Sequence, residues 1–176
     1  TSSTNFPTAG SPYDPSFNGG TSIGFVFNGT SFNGGTDIYV SKFNPSGTTL
    51  LGSTYIGGSG NDGVNYNNYA PPSYTVYPCG NQGGYVLFNE YPADSLQYNY
   101  GDQYRGEIQL DKFNNVYVAS STKSSNFPVV NAFQNTLNGV QDAVVFKLSN
   151  NLSNLLYSSY LGGAKNDAGY SIIVDD

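Results

Sequence analysis

The chain has 176 residues, with 6 basic against 12 acidic side chains and a formal net charge of −6, a balance that argues against a surface tracking a phosphate backbone or an anionic membrane. It holds 22 Gly and 9 Pro, with only 10% charged but 15% aromatic residues, which disfavours a helical bundle and favours short strands joined by many turns, an all-β chain. With no His and one cysteine, Cys79, Ser-His-Asp and Cys-His catalysis, an intrachain disulfide and a zinc site built on paired thiolates are excluded, and Cys79 reads as an inert thiol.

The chain contains no Met, and residues 1–20 lack the basic and apolar pattern of a signal peptide. No run of 18 apolar residues is present for a membrane span. The expectation is a mature or excised piece without membrane insertion.

In chain order, Thr1-Ser2-Ser3-Thr4-Asn5-Phe6-Pro7 returns as Thr122-Lys123-Ser124-Ser125-Asn126-Phe127-Pro128, 121 residues on. Ile23–Phe27 is flanked by two echoing runs, Phe17–Thr21 and Phe32–Thr36, and reads as an added hairpin over about residues 18–33. Asp37–Phe43 returns as Asp142–Leu148 at an offset of 105, and at the same offset Ser53–Gly58 returns as Ser158–Gly163 and Asn61-Asp62 as Asn166-Asp167. Relative to that second copy, about 41 extra residues, Gly63–Tyr104, are inserted in the first. They hold nine of the 16 Tyr, three acids and no base, and Gly84–Phe88 within them reads as a strand. Further on, Ile108–Asp111 returns as Ile172–Asp175 at an offset of 64. The unit therefore reads as four strands: one ending at Asp111, then Val116–Ala119, Ala143–Leu148 and Leu155–Leu161. Val116 and Val118, and again Val144, Phe146 and Leu148, fall on one face at period two.

SSTNFP, a turn with Asn138-Gly139, Asp142–Leu148, and Leu156–Asp175 with its YLGG run together resemble the bacterial SBBP-type β-propeller repeat, with a looser copy in residues 1–62 and 106–122. The resemblance covers about two thirds of the chain. It implies a β-propeller-like fragment: one complete four-stranded blade, parts of its neighbours and a β-rich insertion. The division is then 1–62 as a first repeat, 63–104 as the Tyr-rich insertion, 105–163 as a complete second blade and 164–176 as the start of the next. The resemblance also implies an extracellular or cell-surface bacterial protein, of the kind exported by the type nine pathway of gliding bacteria.

Insertions in repeat proteins map to loops on one face, often the binding face. Tyr66, Tyr69, Tyr74, Tyr77, Tyr85 and Tyr91 are the candidate ligand-contacting residues, because Tyr offers contact area at low entropy cost with a hydroxyl for polar partners. The alternative is that these rings pack over the sheets as local core. Gly57–Asn65 fits the calcium nonapeptide GGxGxDxUx, but its only relative, Gly162–Asp167, has Lys165 where Gly is needed. A structural turn is the preferred reading, no cofactor is expected, and if calcium binds, Asp62 is its ligand. Asp37 and Asp142 are expected to cap turns, Lys42 and Lys147 to face solvent, and Asp111 to accept backbone N–H bonds in a turn. Asn28-Gly29-Thr30 and Asn151-Leu152-Ser153 fit the N-glycan sequon and Asp94-Ser95-Leu96 a short O-glycan motif, all weak in so Asn- and Ser-rich a chain. No carboxylate pair is marked for glycosidase chemistry, since the recurring acids recur with the repeat. The expected function is a non-enzymatic scaffold and recognition or adhesion module. Its partners would be further blades or other copies, with a protein or glycan ligand and no nucleic acid. The alternatives are a structural subunit of an extracellular filament or surface layer and, behind both, a carbohydrate-active enzyme fragment.

Overall fold

The computed structural model describes residues 1–20, 25–27, 30–32, 35–64, 74–77, 85–88 and 106–175. Among them there is no helix, hence none long and apolar enough to cross a membrane, and the chain is all-β. Its strands are β1 (Phe25–Phe27), β2 (Thr30–Phe32), β3 (Ile38–Phe43), β4 (Leu50–Ile56), β5 (Tyr74–Tyr77), β6 (Tyr85–Phe88), β7 (Glu107–Leu110), β8 (Val116–Thr122), β9 (Asp142–Leu148) and β10 (Leu155–Leu161). All pairings are antiparallel. β7 to β10 form one four-stranded sheet with neighbours in chain order, while β1–β2, β3–β4 and β5–β6 are separate pairs. The sheets do not close on one another among the described residues. The β1–β2 pair lies where the duplicated Phe-Asn-Gly-Gly-Thr runs predict an added hairpin, with Phe25 opposite Phe32.

The sequence repeat is also a repeat of pairing. Ile38 faces Ile56 and Tyr39 faces Tyr55 in the first copy, as Ala143 faces Leu161 and Val144 faces Tyr160 in the second, each residue displaced by 105. Both pairs carry a register shift at the same place, after Lys42 in one and before Tyr157 in the other. The turns match as well. Asn44 N–H donates to Thr49 O (3.0 Å) and Gly47 N–H to Asn44 O (2.9 Å), as Ser149 donates to Asn154 O (2.9 Å) and Leu152 to Ser149 O (2.8 Å). That turn needs a left-handed residue. Gly47 takes it at φ 71°, and Leu152 at φ 63° accepts the steric cost with its side chain fully buried.

A tyrosine latch explains why SSTNFP and the YLGG run recur together. The Tyr55 hydroxyl accepts from Phe6 N–H (2.8 Å) and donates to Ser3 O (2.9 Å). The Tyr160 hydroxyl accepts from Phe127 N–H (3.0 Å) and donates to Ser124 O (2.7 Å). In both copies the Phe ring meets the Tyr edge-on at 6.3 Å between centroids. Beyond each latch the chain continues along the outer edge of the last strand, where Ala9 exchanges bonds with Ser53 and Val130 with Ser158.

One core runs through both copies. Val40 and Ile56 join Val116, Val118, Phe127, Val144, Phe146, Leu148, Leu152, Leu155 and Tyr160. The period-two apolar faces of β8 and β9 supply its centre, as the alternation predicts. Lys42 and Lys147 differ from a purely solvated reading. The Lys42 ammonium donates to the main-chain and side-chain oxygens of Asn150, both at 3.0 Å, tying β3 to the second copy's turn. Lys147 pairs with Asp111 across the sheet at 3.2 Å and lies over the Tyr117 ring.

Tyr160→Phe removes one buried hydroxyl and leaves Phe127 N–H and Ser124 O only their bond to each other at 3.3 Å, so it should lower the unfolding free energy by about 1–3 kcal/mol. In urea titrations the midpoint should fall with the slope unchanged. A midpoint equal to wild type would show that the latch contributes nothing.

Candidate functional site

Gly57–Asp62 leaves β4 as a tight turn that docks on the opening motif of the second copy. Asp62 is 1% exposed. Its carboxylate accepts Gly58 N–H (2.8 Å) from its own turn, and the Ser124 hydroxyl (2.8 Å) and the Thr122 hydroxyl from the next copy. Around it Ser59 N–H and hydroxyl reach Asn126 Oδ1 (2.8 and 2.9 Å), Gly60 N–H reaches the Ser124 hydroxyl (2.8 Å) and Lys123 N–H reaches Asn61 O (2.9 Å). These bonds fit the structural-turn reading of Gly57–Asp62. In the second copy Gly163 N–H donates to Asp167 at 2.8 Å, the same closure of the turn.

Asp37 lies beside this seam, just before β3, and is also 1% exposed. It caps the preceding turn by accepting Asn18 N–H at 2.6 Å, as Asp142 accepts Asn138 N–H at 3.0 Å. Asp111 closes the β7–β8 turn by accepting Phe113 and Asn115 N–H, each at 2.9 Å. A cleft of about 500 Å³ runs from Asp37 and Asp62 between β3 and the β7–β8 side of the second sheet, lined by Thr36, Tyr39, Ile108 and Val118 among others. Desolvation pushes the Asp37 carboxyl up to about 7, against the bond from Asn18 and with help from the neighbouring Asp62 and Asp14 charges. Asp62 is pushed up to about 6 by burial, opposed by its bonds from Thr122, Gly58 and Ser124. Among the described residues no three acidic, histidine or cysteine side chains gather as a ready metal cluster.

The candidate tyrosines lie on the insertion. Tyr74 and Tyr77 sit at the ends of β5 and Tyr85 at the start of β6, with Tyr77 opposite Tyr85 and Tyr74 opposite Phe88 in register. Tyr66, Tyr69, Tyr91 and Cys79 lie outside the described residues. Sequence reasoning named Asp62 but not the hydroxyls that hold it, Thr122 and Ser124. They lie 60 and 62 residues from Asp62, too far along the chain for a local signal. Scans against protein-family models, curated proteins and solved structures return no match to the chain.

A raised carboxyl pKa means that the folded state holds protons the unfolded state has released, so stability is present below the ordinary carboxylate range and falls as pH rises through about 6 to 7. In divalent-free buffer the urea midpoint should therefore drop between about pH 5 and about pH 8, and Asp37→Asn should flatten that slope. A midpoint that rises or stays level over this window in the wild type would contradict the burial of these carboxylates.

Proposed function

We propose that the chain is a non-enzymatic, propeller-type module that serves as scaffold and recognition or adhesion surface in a larger polypeptide or assembly at the cell exterior. The observation that carries this reading is a partial duplication: a four-stranded meander β7–β10 preceded by a β3–β4 pair with the register, turn and latch of β9–β10. In these terms β7–β10 is one blade, β3–β4 is the outer half of its neighbour, and Ile172–Asp175 opens a third. Two edges support the need for further strands. β3 has only β4 as partner strand and β7 only β8 among the described residues, and apolar side chains stand exposed along them, Tyr39 at 45% and Ile108 at 55%. Unpaired edges of this kind invite pairing with another strand. The extracellular setting and the family rest on the SBBP-like motifs.

In this reading the Tyr-rich insertion is the contact region, with Tyr74, Tyr77 and Tyr85 on its hairpin. The open edges also favour a second reading, a structural subunit of an extracellular filament or surface layer. Sedimentation separates the two, since a filament subunit pellets on its own and a recognition module stays small until a ligand is added. On an array of bacterial and host glycans, the chain should bind a subset of spots. The Tyr74→Ala, Tyr77→Ala, Tyr85→Ala triple variant should lose at least about ten-fold in affinity, on the order of 1.4 kcal/mol, with unchanged melting. Equal binding by the triple variant, or a loss of folding without a binding defect at permissive temperature, would remove the recognition role.

A further inference from the structure

The two copies differ at one buried carboxylate. In the second copy Asp142 is fully supplied: Oδ2 accepts Gln134 Nε2 (2.8 Å) and Asn138 N–H (3.0 Å), and Oδ1 accepts Gly139 N–H (3.2 Å). Among the described residues the matching Asp37 accepts Asn18 N–H alone on Oδ2, and its Oδ1 is buried with no partner. Among those residues the first copy lacks a counterpart of the Gly139 donor on Oδ1 and a counterpart of Gln134 on Oδ2. In the place that Gln134 fills, the first copy carries Asp14, identified by the same backbone bonds: Asp14 N–H to the Thr54 hydroxyl (2.8 Å) and Tyr55 N–H to Asp14 O (3.0 Å), as Gln134 N–H goes to the Ser159 hydroxyl (2.9 Å) and Tyr160 N–H to Gln134 O (3.2 Å). A neutral donor has become a carboxylate. Asn18 links the two acids, giving its amide N–H to Asp37 and its side-chain Nδ2 to Asp14 at 2.6 Å.

Thr36, which lines the same cleft as Asp37 and Asp62, carries a further buried side-chain oxygen without a partner, Oγ1, and is 5% exposed. Thr36 and Asp62 are held together by the Asp62 N–H bond to Thr36 O at 2.7 Å. The carboxylates converge on Gly57: a Cβ there would lie 2.6 Å from Asp37 Oδ1 and 2.8 Å from Asp62 Oδ2, a space that only glycine leaves open. The Thr1 amino group bonds the Asp37 main-chain oxygen at 2.7 Å, so it meets the backbone and leaves Oδ1 unpartnered. A buried acceptor without a donor carries a cost of about 1–3 kcal/mol, more when charged, and a cation at Asp37 Oδ1 relieves it.

We propose that Asp37 and Asp62, with the hydroxyl of Thr36 on the same cleft, form a site for a hard divalent cation of the calcium class. The donors are all oxygen, the set that calcium accepts at 2.3–2.6 Å and that zinc or copper does not select. The cleft along Thr36, Asp37 and Asp62 gives a path from solvent. This is not the tandem-turn cage of the nonapeptide repeat, because the ligands come from the segment before β3 and the turn after β4. The second copy has no equivalent site, since Gln134 and Gly139 already fill Asp142.

The test is calorimetric titration of the chelator-treated chain with calcium chloride at neutral pH, followed by melting with and without calcium. Extracellular modules bind calcium with Kd of roughly 10⁻⁴–10⁻³ M. One saturable site per chain in or below that range and a higher melting temperature are expected, with at least a ten-fold weaker Kd in Asp37→Asn. Asp14→Gln installs the side chain already present in the second copy and removes a neighbouring negative charge, so it should fold, melt at or above wild type without calcium and bind calcium more weakly than wild type. No calcium response in the wild-type chain up to about 10 mM, or wild-type affinity in either variant, overturns the assignment. A melting temperature that rises on acidification but ignores calcium also overturns it, showing a proton in the ion's place.

Discussion

A carboxylate taken out of water must be met by donors, and Asp62 is met by donors from both repeats. This single group sets how the first copy sits on the second. With the carboxylate fixed by Gly58 on one side and by Thr122 and Ser124 on the other, the turn cannot shift without stranding a buried charge, a change that costs several kcal/mol. The fit is tight. A Cβ on Gly60 would lie 2.6 Å from Lys123 O, so only glycine can stand there. The second copy has Lys165 at that place, which bars its turn from making the same approach to another such segment. The two turns share a sequence origin and an internal closure, but only the first is built to dock.

Everything else in the repeat serves to hold the docking segment in shape. SSTNFP has no regular backbone ladder, so its polar groups need other partners. The latch tyrosine supplies them from the last strand of its own copy, and the Phe of the motif seals the apolar side against that ring. Once Ser124 and Asn126 are so placed, their side chains are free to receive the neighbouring turn. Hydrophobic burial in the shared core, from Val40 and Ile56 of one copy to Phe146 and Leu148 of the other, then acts on elements already oriented by hydrogen bonds.

Much of this was legible in the sequence, for physical reasons. Strand and turn identities depend on neighbours in the chain, so Val116, Val118, Val144, Phe146 and Leu148 announced their faces, and Asp111 and Asp142 announced capped turns. The repeat told which residues must share a role. Contacts across 60 residues or more carry no such local signal. Nothing near Asp62 in the chain says that Thr122 and Ser124 will hold it, and nothing near Lys42 points to Asn150, 108 residues away. The exchange of Gln134 for Asp14 was hidden by spacing, because the segments between the aligned motifs differ in length. Only the matched hydrogen bonds to Thr54 and Ser159 reveal the correspondence. The tyrosines of the insertion were legible as a composition, with Tyr74, Tyr77 and Tyr85 then placed on a hairpin by its register.

The GG-turn of the first repeat is a built part of the next, held through Asp62. Amide hydrogen exchange tests it most directly, because Gly60 N–H and Lys123 N–H are bonded only across that seam, to Ser124 and Asn61. If the account is right, both amides are protected to a degree comparable with the β8–β9 ladder and lose protection together in Asp62→Ala. If they exchange at the rate of an exposed loop while β8 and β9 stay protected, the two copies are not joined in this way and the account fails.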